Sequence, residues 1–183
     1  GLAFDEHRTS DLVAAELERA GIEVHRGLAR TGVVGVLRAG TSSRSIGLRA
    51  DMDALPVAEL NEFPHRSRHP GTMHACGHDG HTAMLLGAAK YLAETRNFDG
   101  KVVCIFQPAE EGGGGGREMV KDGMLARWGV QEVYGMHNMP GIPVGKFAIR
   151  PGPMMASSDI FEIAITAKGG HAAFPHRAVD AIV

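Results

Sequence analysis

Imidazole, thiolate and carboxylate are the side chains that bind borderline divalent metals. Ten consecutive residues, Met73-His74-Ala75-Cys76-Gly77-His78-Asp79-Gly80-His81-Thr82, hold three histidines, one cysteine and one aspartate. The spacing Cys76-x-His78 brings a soft and an intermediate ligand to one place. The apolar run Ala83-Met84-Leu85-Leu86 that follows puts this place at the mouth of a helix. Gly77 and Gly80 let the backbone turn tightly around whatever is bound. A lone histidine reads as part of a helix cap; five candidate ligands in ten residues read as a metal loop.

Further chemistry-bearing residues follow. Glu110 and Glu111 are adjacent carboxylates after an apolar run, where successive side chains are expected to point opposite ways. One of the two can bind metal while the other faces a water that the metal activates, and so serves as general base. Taken alone, the pair reads as a solvated start to a helix. Asp51 and Asp53 alternate along a strand end, and one of them is expected to face the site. His137 after a strand is a credible ligand beside Cys76, His78 and Glu111. The pentaglycine 112–116 is followed by Arg117-Glu118, without the Gly-Lys-Ser/Thr ending of a phosphate loop. No Gly-x-Ser-x-Gly elbow and no Pro-Cys-x-x-Cys segment is present, which excludes those serine-nucleophile and zinc-deaminase patterns.

The elements that must position these residues can be read in order. Thr9-Ser10-Asp11 offers N-cap side chains to a helix that Gly21 closes. Residues 22–24, 32–37 and 45–50 read as short β-branched strands, the last running into Asp51. The segment 59–71 is a polar loop, so His65 and His69 read as solvated. A helix is expected over about 80–95, with Ala83, Leu86, Ala89, Lys90 and Ala93 facing a sheet. Residues 101–106 read as a strand buried on both faces. A helix over about 117–125 and a strand over 132–136 come next. Alternation of strands and helices gives an α/β fold, a largely parallel twisted sheet flanked by helices. In such sheets ligands bind beyond the carboxyl ends of the strands, where Asp51/Asp53, Glu110/Glu111 and His137 all fall. Beyond Gly141 the pattern changes: residues 144–149 and 159–167 read as strands, and a helix begins near Ala178. The expected organisation is a catalytic domain over 1–157 and the start of a second, α+β domain over 158–183.

The 183 residues are 44% apolar and 22% charged with a net charge of −2, the balance of a soluble globular protein. Nothing in that balance argues for nucleic acid or an anionic membrane surface as partner. Two cysteines make no disulfide framework and fit a reducing cytoplasm; Cys104 reads as a buried apolar residue. No signal peptide or apolar run of membrane-spanning length is evident. The chain opens without Met and stops in an apparent young helix, so a piece of a longer protein is expected.

Five motifs together resemble the M20 metallopeptidase family, and within it the amidohydrolase branch of hippurate, N-acyl-amino-acid and auxin-conjugate hydrolases. They are Arg49-Ala-Asp-Met-Asp-Ala-Leu-Pro56, the Met73–Thr82 loop, Gln107-Pro-Ala-Glu-Glu111, Met136-His-Asn138 and Gly169-Gly-His-Ala-Ala-Phe-Pro-His176. The resemblance implies a zinc-peptidase-like catalytic domain with an inserted lid and dimerisation domain. It also implies two divalent metal ions (Zn, Mn, Co or Ni) and hydrolysis of an N-acyl amino acid. Cys76, His78, Glu111 and His137 match the family's ligands, Glu110 its general base, and Asp53 an aspartate that orients the site. Asp51 stands where the wider family has a ligand histidine, for which Cys76 compensates. His171 matches a histidine that reaches across a homodimer to the substrate, and Asn138 is expected at the substrate as well. The family's final ligand histidine and the rest of its catalytic domain would lie downstream. Two other readings stand beside this one: a non-catalytic metal-binding fragment, and a dipeptidase of another M20 branch.

Overall fold

The apolar run 102–106 lies at the centre of a five-stranded sheet in a computed structural model that describes residues 1–182. It belongs to β4 (Gly100–Gln107), whose residues from Val102 to Phe106 are all buried. On one side β4 pairs antiparallel with β2 (Gly32–Ala39), which pairs antiparallel with β1 (Glu23–Leu28). On the other it pairs parallel with β3 (Ser45–Asp51), which pairs parallel with β5 (Glu132–Gly135). The sheet is therefore mixed, in the order β1-β2-β4-β3-β5. Its parallel half is the half whose carboxyl ends carry Asp51, Gln107 and the approach to His137.

Period-two alternation along β4 feeds two cores. Val102, Cys104 and Phe106 pack with Val13 and Leu17 of α1 (His7–Arg19) and Leu85 and Ala89 of α2 (His78–Thr95). Val103 and Ile105 face Met119 of α3 (Gly115–Lys121), and Met124 and Trp128 of α4 (Met124–Trp128). Burial pushes the Cys104 thiol up to about 12, as suits a structural sulfur.

Several expectations need correction. α1 starts at His7, ahead of the Thr9-Ser10-Asp11 cap. The single helix expected over 117–125 is two, because Gly123 takes a left-handed φ of 83° between them. The chain divides into two compact units, Gly1–Pro140 and Gly141–Val183. Among the described residues of the second unit, 144–149 and 159–167 form no strand ladder. Phe147, Ile160 and Phe161 are at least 82% exposed, and strand-like segments gain stability only when paired and covered. Where a helix was expected near Ala178 there is a 3₁₀ turn, Pro175–Arg177, and Ala178 itself is extended. Val183, the last residue of the expected helix, lies outside the described residues. No helix among the described residues is long and apolar enough to cross a membrane.

Candidate metal centre

Helix α2 builds the site from its first turn. His78, His81, Thr82, Leu85 and Ala89 are its buried residues, and their spacing traces one helical face. The face that is apolar toward the middle of the helix is therefore imidazole at its start. Gly77 precedes it at φ 90°, where a Cβ would lie 2.4 Å from Oδ1 of Asn138. Glycine at this position lets the loop turn left-handed and lets Asn138 approach.

His78 is the hub. Its Nδ1–H donates to the Asp53 carbonyl at 2.9 Å and to Asp53 Oδ1 at 3.2 Å. With the proton fixed on Nδ1, Nε2 presents a lone pair. That nitrogen is buried and has no hydrogen-bond partner among the described residues. Around it stand Asp51 Oδ2 at 3.6 Å, Glu110 Oε2 at 3.8 Å and Glu111 Oε1 at 3.9 Å. A buried, unpartnered lone pair facing carboxylates is what a bound cation satisfies.

Cys76 and His137 supply a second side. His137 Nδ1–H donates to the Asn138 carbonyl at 2.6 Å, so its Nε2 faces Cys76 Sγ at 3.3 Å. Ligand atoms of Cys76, His78 and His137 lie within 4.8 Å of one another, and those of His78, Glu110 and Glu111 do likewise. Burial, reinforced by Glu111, Glu110 and Asp51, pushes the Cys76 thiol up to about 11. A divalent cation at the same place reverses that logic and holds the thiolate.

A third candidate set, Asp51, His78 and His81, is less available. His81 Nδ1–H donates to Asp51 Oδ1 at 2.7 Å, and the Asn138 backbone N–H donates to His81 Nε2 at 3.1 Å, with Asn138 Oδ1 packed against the same nitrogen. Both ring nitrogens of His81 are thus occupied. Asp51 is also bound by Arg49 Nη1 at 2.7 Å, and its carbonyl accepts the Thr82 hydroxyl at 2.9 Å. Burial raises the Asp51 carboxyl, but the His81 hydrogen bond and the Arg49 charge outweigh it and hold it below the ordinary value. Asp53 is lowered in the same way: burial is overcome by hydrogen bonds from His78 and from the Glu111 N–H. His78 runs oppositely: burial lowers it, but the two aspartates raise it by more, which favours a second proton on Nε2 that a bound cation would displace.

Two expectations about direction are overturned. Residues two apart on an extended chain share a face, so Asp51 and Asp53 both reach His78 while Met52 between them is fully buried. Glu110 and Glu111 do not diverge, because β4 ends at Gln107 and Ala109 takes φ 51°. The chain turns, and both carboxylates come within 4 Å of one imidazole nitrogen.

The structure therefore gathers Asp53, Cys76, His78, Glu110, Glu111, His137 and Asn138. It adds His81, Asp51 and Arg49 as the network behind them. The sequence shows His81 as the third histidine of the loop, but only the fold reveals that its partners are Asp51 and Asn138. His171 belongs to the second unit, where its Nδ1 accepts the Ala173 N–H at 3.1 Å and its ring meets Phe174 at 5.8 Å. His65 is exposed and stacks on Phe63, and His69 is exposed too.

Residues 47–183 match the sequence profile of peptidase family M20/M25/M40. Hippurate hydrolase of Campylobacter jejuni is 50% identical over 181 residues, 99% of this chain and 47% of that protein. IAA-amino acid hydrolase ILR1-like 4 of Arabidopsis thaliana is 48% identical over 183 residues, 100% of this chain and 41% of that protein. The crystal structure of Bacillus subtilis YXEP protein, described as a dinuclear metal-binding peptidase from the M20 family, superposes with a TM-score of 0.79 at 41% identity. It covers 84% of this chain and 43% of its own. The chain spans less than half the length of these relatives. With the metal loop, the acidic turn and His137 gathered on one imidazole, and with this profile match, the chain belongs to peptidase family M20/M25/M40.

Proposed function

We propose that the chain carries the metal-binding core of a hydrolase that cleaves the amide bond of N-acyl amino acids. The observation that carries this reading is the buried, unpartnered Nε2 of His78, which faces Asp51, Glu110 and Glu111 within 4 Å on a ring that also groups with Cys76 and His137. The relatives' names add the substrate class, since hippurate and IAA-amino acids are both amino acids acylated on nitrogen.

Cys76, His78, Glu111 and His137 would hold two divalent ions, drawn from Zn, Mn, Co or Ni, with the thiol favouring Zn. When bound, the ions polarise the scissile carbonyl and acidify the attacking water. Glu110, whose side chain is 42% exposed where Glu111's is 27%, takes the water's proton and passes it to the leaving amine. Asp53 fixes the His78 tautomer, and Asn138 contributes to the substrate side. The resemblance extends the reading to a homodimer, in which His171 of one protomer meets the substrate held by the other. Two free thiols, Cys76 and Cys104, suit a cytoplasmic setting.

The test is Glu110→Gln, with hippurate turnover and metal content both measured. Turnover should fall by about 10²–10⁴-fold, the usual contribution of a general base, while metal is retained. Undiminished turnover would remove Glu110 from the role. Faster cleavage of a dipeptide than of hippurate by the parent would favour the dipeptidase reading, and metal uptake without cleavage of either substrate would favour the non-catalytic one.

A further inference from the structure

Glu6 has no exposed surface, and a buried carboxylate persists only where hydrogen bonds replace the water it has lost. It stands at the N-cap of α1, yet its side chain makes no capping bond to that helix. Instead Oε1 accepts the Phe4 N–H at 3.0 Å and the Ala109 N–H at 2.9 Å, while Oε2 accepts the Thr31 hydroxyl. Ala109 is itself fully buried, and its φ of 51° is a left-handed conformation that a residue with a side chain adopts only where its surroundings enforce it. This residue ends the extended course of the chain immediately before Glu110 and Glu111. The backbone is close-packed around it: a Cβ on Gly113 would lie 2.6 Å from Ala109 Cβ, and one on Gly115 would lie 1.7 Å from the Pro108 carbonyl oxygen. On the other side of the acidic pair, Asp53 Oδ2 accepts the Glu111 N–H at 2.9 Å. The turn into the acidic pair is thus tied to two buried carboxylates, Glu6 on the Ala109 N–H and Asp53 on the Glu111 N–H.

We propose that Glu6 is a positioning residue of the metal centre. By holding the Ala109 N–H it sets the left-handed turn that aims Glu110 and Glu111 at His78. The proposal rests on the metal-centre reading above and assigns the N-terminal segment a part in it. Reach matters here rather than charge, since all three partners of Glu6 are hydrogen-bond donors and none is a cation. Glu6→Gln keeps the length and an oxygen for Ala109, and the Thr31 hydroxyl can rotate to accept from the new amide. Glu6→Asp keeps the charge but is one methylene too short to hold the three partners together.

The test is titration of the chain with cobalt(II), read by its visible absorption, which reports ligand geometry as well as occupancy. Glu6→Asp should weaken cobalt binding about tenfold, as loss of support behind a ligand does, and should alter the spectrum. Glu6→Gln should match the parent in both. In a Glu111→Ala background the effect of Glu6→Asp should largely vanish, because the clamp acts through that turn. Thr31→Val, which removes a partner of Glu6 remote from the acidic pair, should lower the melting temperature and leave cobalt affinity intact. The proposal is overturned if Asp matches the parent, if Gln loses affinity where Asp keeps it, or if the loss in Glu6→Asp persists undiminished without Glu111. If Glu111→Ala alone leaves cobalt binding unchanged, the metal-centre reading itself fails and this proposal falls with it.

Discussion

Replacing Asp53 with Asn tests how far the metal affinity of His78 depends on the group behind it. Asp53 meets the centre through three bonds. Its carbonyl and Oδ1 accept the His78 Nδ1–H at 2.9 and 3.2 Å, and Oδ2 accepts the Glu111 N–H at 2.9 Å. Asparagine turns one carboxylate oxygen into a donor, so either His78 or Glu111 then faces an N–H in place of an acceptor. The backbone carbonyl still takes the Nδ1 proton, and the tautomer that presents Nε2 survives. Substitutions behind a metal ligand cost about 10–100-fold in affinity. With the carbonyl bond retained, Asp53→Asn should lie near the lower end, about tenfold or about 1.4 kcal/mol. Competition for zinc against a chromophoric chelator at neutral pH measures this directly. Unchanged affinity would refute the orienting role. A loss equal to that of His78→Ala would refute it from the other side, by showing that Asp53 acts as a ligand.

Gly77→Ala forces a side chain into a left-handed residue, at about 1–2 kcal/mol, and drives its Cβ against Asn138. The melting temperature should fall by about 2–8 °C, with metal affinity falling too. Gly71→Ala, at φ 71° with open space around it, should lower the melting temperature without touching metal affinity. Asp51 and Asp53 sit below their ordinary value of 3.8 in the metal-free chain, so the stability they contribute is complete above about pH 4. That stability is lost as pH falls through their lower folded-state values. Thermal melts from pH 5 downward should therefore show a steeper acid loss for the parent than for Asp51→Asn. Phe106→Ala, at a fully buried position of the α1/α2 core, should cost about 3–5 kcal/mol in denaturant unfolding.

What the sequence made legible was local. The first-turn imidazoles of α2 and the buried run of β4 follow from residue type and period, and the core placement of Cys104 follows with them. Directions set by distant partners were not legible. The convergence of Glu110 and Glu111 depends on a left-handed Ala109 that Glu6 holds from the other end of the unit, and no local pattern encodes that bond. Asp51 and Asp53 were open to the same period-two argument that succeeded for β4, and applied correctly it puts both on one face. The segments 144–149 and 159–167 carry strand composition, but composition does not specify a pairing partner, and none is present among the described residues.

If the loop from Cys76 to His78 is a metal site, the metal content of the chain depends on those two side chains. The purified chain should be incubated with zinc or manganese, desalted and assayed beside Cys76→Ser/His78→Ala. Bound metal is expected in the parent and its loss in the double variant, with both chains folded. Equal metal in the two would show that any ion is held elsewhere and would contradict the assignment.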